Sequence, residues 1–258
     1  GRTNCEPIAL NQIEDPDGPP RRRTRELEIN TTTREPGRIS ADRTAKRNVN
    51  MANFGELVLL LGDHHIPTRA TSIPDQFQRM LIPNKMQHVL CTGNIGSVDE
   101  YNRLVQLVGS SLSVHCVSGD YDFSSSVSPN NSANNSSSGG IMPAFPETRV
   151  LQLGSFRVGI IGGHQIAPLG DLSSLGMVRR RLNVDVLVVG GKRKEGVIEH
   201  EGGYYVFPGS ITGAYSSNTP NVNPSFILLA IQGNKIVCYV YELKNGNVDV
   251  SKTEFSKQ

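Results

Sequence analysis

No stretch of the sequence reaches the roughly 18 consecutive apolar residues that a membrane-crossing helix needs. Tryptophan is absent, which by itself excludes nothing. Cysteine is scarce. The four cysteines, Cys5, Cys91, Cys116 and Cys238, show no C-x-x-C spacing, and no secretory signal accompanies them. Cys91, Cys116 and Cys238 lie in or beside apolar strand-like runs, so buried free thiols in a reducing compartment are expected. A large excess of one charge is also missing. Residues 1–50 carry 10 Lys and Arg against 8 Asp and Glu, residues 51–258 carry 16 of each, and the net charge of +2 belongs to the N-terminal stretch. A neutral globular part offers no electrostatic footprint for nucleic acid. Together these absences predict a soluble, cytoplasmic protein with no nucleic-acid partner.

What is present is organised around ELVLLLGDHHIP, residues 56–67. The aliphatic run Leu57 to Leu61 is bounded by Gly62 and followed by Pro67, and it reads as a strand buried on both faces. Asp63 and His65 stand just beyond it, at the strand's carboxyl end, the edge where open α/β sheets place their ligands. Asp-x-His there can contribute one carboxylate and one imidazole to a metal. The same three residues also fit a loop-capping Asp and a surface His.

Residues 1–50 have almost no apolar periodicity, contain Pro7, Pro16, Pro19, Pro20 and Pro36, and read as disordered. They can be a native extension, an expression artefact or misread upstream sequence, with Met51 as the true start. Beyond the first strand the spacing predicts a helix over 72–81, a strand over 86–91, a helix over 98–108 and a strand over 112–117. That alternation belongs to parallel crossovers. Residues 124–140 are polar and low in complexity, a flexible insertion. Strands follow at 149–153 and 157–161 around Gly154-Ser155. A helix at 171–182 opens on Asp171 and ends on Arg179–Arg181, matching its dipole. Further strands are predicted at 184–189, 197–200, 204–207, 226–231, 236–243 and 248–255. The whole predicts α/β architecture, two stacked sheets flanked by helices, in one domain over 51–258.

Several apolar strands run into polar, glycine-bearing loops: Asp63-x-His65, Gly93-Asn94, Gly119-Asp120 and Gly190-Gly191-Lys192-Arg193, with Gly162-Gly163-His164 after Ile160-Ile161. This constellation resembles the calcineurin-like metallophosphoesterase family, whose pattern D-x-H, G-D, G-N-H-D/E, H and G-H-x-H holds two metals that activate a bridging hydroxide. A closer resemblance is to the family of small phosphoesterase-fold subunits of retromer, the cargo-recycling coat of endosomes. It spans about 57–255 through LGDHHIP, Ile73-Pro74, HVLCTGN (88–94), GDYD (119–122), GHQ (163–165) with Gly170-Asp171, HE (200–201), PGSITGAY (208–215), PSF (224–226) and YVYEL (239–243). The resemblance implies a four-layer α-β-β-α sandwich of the metallophosphoesterase type. Residues 1–50 and 124–140 lie outside it.

The departures from the enzyme pattern are informative. Asn94 stands at the bridging Asp, as in the retromer subunit, and Tyr121 at the catalytic His. Gly162 matches the lone His ligand, and Gly191 and Arg193 match both histidines of G-H-x-H. Asp63, His65, Asn94 and Asp120 remain, enough for at most one weakly held hard cation. The resemblance therefore implies no catalysis and no cofactor, with residual weak divalent binding as the limit. Arg193 can bridge Asp63 and Asp120 in place of a lost ion, or it can belong to a solvated run, Lys192-Arg193-Lys194. His164 is expected to be structural rather than a ligand.

As a retromer-type scaffold, the chain would dock its metal-pocket edge on the C-terminal end of the α-solenoid subunit. The resemblance assigns that contact to Ile166 and Ala167, with Ile166 expected to project from its loop. It assigns a regulator-peptide patch to Leu57, Met80, Leu81, Leu228, Tyr239, Tyr241 and Val250, although Leu57 and Leu228 also fit simple core packing. Location on endosomes would be peripheral and indirect, in endosome-to-Golgi retrograde transport. The competing expectation is a divergent single-metal phosphoesterase.

Overall fold

The computed structural model describes residues 55–122, 142–191, 196–215 and 222–257. The expectations for residues 1–50, for the 124–140 insertion and for Lys192-Arg193-Lys194 fall outside these residues. In chain order the described residues form β1 (Glu56–Leu61), α1 (Asp75–Met80), β2 (His88–Cys91), α2 (Val98–Val108), β3 (Val114–Cys116), β4 (Thr148–Leu153), β5 (Phe156–Ile161) and α3 (Leu172–Leu182). They continue through β6 (Val186–Val189), β7 (Gly196–His200), β8 (Gly203–Phe207), β9 (Ser225–Gln232), β10 (Lys235–Lys244) and β11 (Asn247–Ser256).

The strands build two sheets, in the orders β11-β10-β9-β1-β2-β3 and β4-β5-β6-β8-β7. The run of aliphatics in β1 is explained by its place. It pairs parallel with β2 and antiparallel with β9, and both of its faces are covered. Inward-pointing Val58, Leu60, Leu90, Ile227 and Leu229 of the first sheet meet Val158, Ile160, Val186, Val188 and Val206 of the second in one buried cluster. On the far side of the second sheet, Leu175 of α3 packs against Ile161, Leu187, Val189, Tyr205 and Phe207. On the far side of the first sheet, Phe77 of α1 is fully buried, with Phe226 edge-on at 4.8 Å between ring centroids. The expected four layers, α-β-β-α, are present.

Local signals set the element ends. Pro74 stands at the N-cap of α1, which shortens the predicted helix to Asp75–Met80, because proline's fixed φ suits a helix start and not its interior. Ser97 and Asp171 cap α2 and α3 by accepting the amides of Glu100 and Ser174. Gly109 and Asn183 close those helices in the left-handed conformation. Cys91, Cys116 and Cys238 are free and buried, and burial pushes the Cys238 thiol up to about 12. Among the described residues no helix is long and apolar enough to cross a membrane.

Candidate functional site

β1, β2 and β3 run parallel, so their carboxyl ends open on the same edge of the sheet. The loops leaving that edge carry Asp63 and His65 after β1, Asn94 after β2, and Asp120, Tyr121 and Asp122 after β3. Asp63, His65 and Asn94 all adopt left-handed backbone, with φ of 42°, 50° and 57°. Asp and Asn tolerate that region better than most residues, yet each such position still costs on the order of 1 kcal/mol. The surrounding bonds hold it. The His65 amide donates to the Asn94 carbonyl at 2.7 Å, and Ser210 Oγ donates to the Asp63 carbonyl at 2.7 Å. Thr212 Oγ1 donates to the His64 carbonyl at 2.9 Å. One Asp122 carboxylate oxygen accepts the amides of Asn94 at 2.8 Å and Gly119 at 2.7 Å, tying the second loop to the third.

The structure brings Asp63, His65, Asn94 and Asp120 together. Asn94 Nδ2 donates to Asp63 Oδ1 at 2.8 Å and to Asp120 Oδ1 at 2.9 Å, and its Oδ1 accepts the Tyr121 amide at 3.0 Å. Asp63 and Asp120 do not face each other unpaired; an amide joins them. The bridging role considered for Arg193 falls on a residue outside the described segments.

The residues present do not fit a two-metal centre. Among the described residues no group of three His, Cys, Asp or Glu is placed to hold a metal. At Gly162, where the enzyme pattern has its lone histidine, a Cβ would come within 2.6 Å of the Ser118 carbonyl oxygen. The loops have closed over the space that a ligand side chain there would need. Gly191, at another lost histidine, has φ of 69°, a backbone that suits glycine. Where the enzyme pattern has its catalytic histidine this chain has Tyr121, whose ring lies edge-on to His65 at 5.3 Å.

Sequence reasoning did not assign a role to Asp122 or Arg69. Asp122 is visible in GDYD, where the second carboxylate three residues after a glycine is the one signal available. Arg69 has none. Its guanidinium lies 4.0 Å from the centroid of the Tyr121 ring and donates to the Tyr215 carbonyl at 3.1 Å, roofing the pocket. His164 is exposed.

Ile166 does not project from its loop. Its amide bonds the Gly163 carbonyl at 3.1 Å, and the turn carries the side chain back into the cluster beneath α3, leaving it 7% exposed. Ala167 is exposed beside it. Both line a shallow depression of about 390 Å³ shared with Met177, Val178 and Arg181, and Met177 and nearby Leu169 are exposed.

Strand register gathers the proposed apolar patch on one face of the first sheet. Tyr239 pairs with Leu228, Tyr241 with Phe226 and Val250, and Leu57 with Ala230. Leu228 and Leu81 are buried, as is Tyr241, which stacks on Phe226 at 4.5 Å. Burial, helped by Tyr239, pushes the Tyr241 hydroxyl up to about 12. Leu57, Met80, Tyr239 and Val250 are half-buried and form the accessible part of the face.

Residues 57–234 match the model of the calcineurin-like phosphoesterase superfamily domain. Vacuolar protein sorting-associated protein 29 of Schizosaccharomyces pombe is 34% identical over 210 residues, covering 78% of this chain and 98% of that protein. The structure of vacuolar protein sorting 29 from Cryptosporidium parvum is 41% identical with a TM-score of 0.69, covering 80% of this chain and all of that one. The Entamoeba histolytica protein, solved in complex with zinc, is 36% identical with a TM-score of 0.65, covering 78% of this chain and 99% of that one. On motif order, fold and near-complete coverage of these relatives, the chain belongs to the vacuolar protein sorting-associated protein 29 family of the calcineurin-like phosphoesterase superfamily.

Proposed function

We propose that the chain is a non-catalytic scaffold subunit of the retromer endosomal sorting coat, acting in endosome-to-Golgi retrograde transport. The observation that carries this reading is the amide of Asn94 between Asp63 and Asp120, where hydrolysis would need cations to activate water. The pocket edge docks on the C-terminal end of the α-solenoid subunit, and the half-buried face around Tyr239 takes regulator peptides. Exposed Ala167, Leu169 and Met177 supply the apolar area for the first contact. The chain reaches endosomal membranes only through the assembled coat.

Ile166 supports this contact from below, so a charge there would unfold the loop instead of testing the interface. Ala167→Asp together with Met177→Asp should release the chain from the solenoid subunit in a pull-down, with circular dichroism and melting near wild type. Retention at wild-type stoichiometry would remove this surface from the contact. For the patch, Tyr239→Ala should abolish peptide binding without loss of fold, whereas buried Leu228 is unsuitable as a probe.

The second reading, a divergent single-metal phosphoesterase, is favoured by the zinc complex of the Entamoeba histolytica relative and by the four donors gathered here. Hydrolysis of p-nitrophenyl phosphate with added manganese or zinc, lost in Asp63→Ala, would establish it.

A further inference from the structure

The orientation of the Asn94 side chain is dictated by its neighbours. The Tyr121 amide can only donate, so the atom it meets at 3.0 Å is the carbonyl oxygen, and the NH2 group faces the two carboxylates. Turning the amide over would set its oxygen against Asp63 Oδ1 and Asp120 Oδ1 and its NH2 against the Tyr121 amide, replacing three hydrogen bonds by three repulsive contacts. The backbone is fastened as well. Asn94 N donates to Asp122 Oδ2 at 2.8 Å, and the Asn94 carbonyl accepts from His65 at 2.7 Å. Gly119 packs so closely on Asn94 that a Cβ there would strike its side-chain oxygen. Asp63, His65 and Asn94 are all buried.

We propose that the Asn94 amide stands in the cation's place between Asp63 and Asp120, so that the pocket closes on itself and a divalent metal enters only by displacing that amide. A cation shared by the two Oδ1 atoms would meet the partial positive charge of the NH2 group. Ligation by Asn94 needs its oxygen, which the Tyr121 amide holds. Entry between the two Oδ1 atoms therefore breaks both bonds from the NH2 group, and turning the oxygen inward to ligate breaks the third, which makes binding weak and leaves the metal-free pocket structurally complete. Asn94→Asp reverses this balance, because a third carboxylate repels the other two until a cation joins them. This goes beyond the scaffold reading and holds whether or not the chain docks on a solenoid.

The test uses the full chain, stripped with chelator. In the wild type, side-chain amide NMR should show the Asn94 NH2 protons exchanging at least tenfold more slowly than those of exposed Asn247, and saturating zinc should shift them. Calorimetric zinc titration should give Asn94→Asp at least tenfold higher affinity than wild type. Exchange as fast as at Asn247, an unmoved Asn94 signal at zinc saturation, or equal zinc affinity in the two proteins would each overturn the proposal. If Asn94→Asp does not fold without metal, the two wild-type NMR measurements decide alone.

Discussion

The same three strands carry polar groups at both ends, and the ends differ in how those groups are satisfied. At the carboxyl ends of β1, β2 and β3, Asp63, Asn94 and Asp120 are joined by one amide, with backbone donors filling in around them. Toward the amino ends, Glu56, His88 and His115 form a second chain. Glu56 Oε1 lies 2.9 Å from His88 Nε2, and His88 Nδ1 lies 3.1 Å from His115 Nε2. His115 Nδ1 has no hydrogen-bond partner among the described residues. Burial, then the nearby charges of Arg149 and His88, lower the His115 pKa to about 4. Loops can bend backbone amides toward a carboxylate, whereas a side chain on a strand's inner face meets only what the facing sheet provides.

The largest expected break in this contrast comes from Asn94→Leu. It removes the bridge while leaving both carboxylates in place, and should lower unfolding free energy by about 2 kcal/mol in urea melts, mostly from buried Asp63, since Asp120 is exposed to water. A loss below about 0.5 kcal/mol would mean the carboxylates find water instead.

At the other end the effect is smaller and depends on pH. The unfolded chain takes up the His115 proton near 6.5 and the folded chain only near 4, so stability is whole above about 6.5 and falls as pH drops toward 4. Allowing for screening, the loss is on the order of 1–2 kcal/mol. His115→Leu should flatten that part of the stability profile and leave stability at pH 7 near wild type. An unchanged acid slope in that variant would assign the sensitivity to other groups.

The smallest effect belongs to Glu56→Gln. Its pair with His88 is partly exposed, so the expected change is under about 1 kcal/mol. A larger loss would show that Glu56 sets the tautomers of both histidines.

Much of this was legible residue by residue. The aliphatic run Leu57 to Leu61, Asp171 at the start of its helix and the turn at Gly154-Ser155 are local signals, and the elements appear where those signals stand. The list of pocket residues was legible too, because the loops that carry them end apolar strands. Substitutions at Tyr121, Gly162 and Gly191 already argued against a two-metal centre.

Only the tertiary structure decided how those residues satisfy one another. The resemblance suggested a cation between two acids, while the fold turns the Asn94 amide into that gap through a contact with Tyr121 27 positions away. Ile166 looked like a loop residue free to project, and a turn of the backbone sent it into the core. Likewise β9 comes from the far end of the chain to cover one side of β1, a pairing that no local pattern encodes. Periodicity and caps act within a turn or two of the chain, so sequence alone determined the elements and the residues at the pocket. Side-chain direction in loops and long-range strand pairing depend on contacts made only once the chain has folded, and these decided which polar groups are joined and which apolar ones are buried.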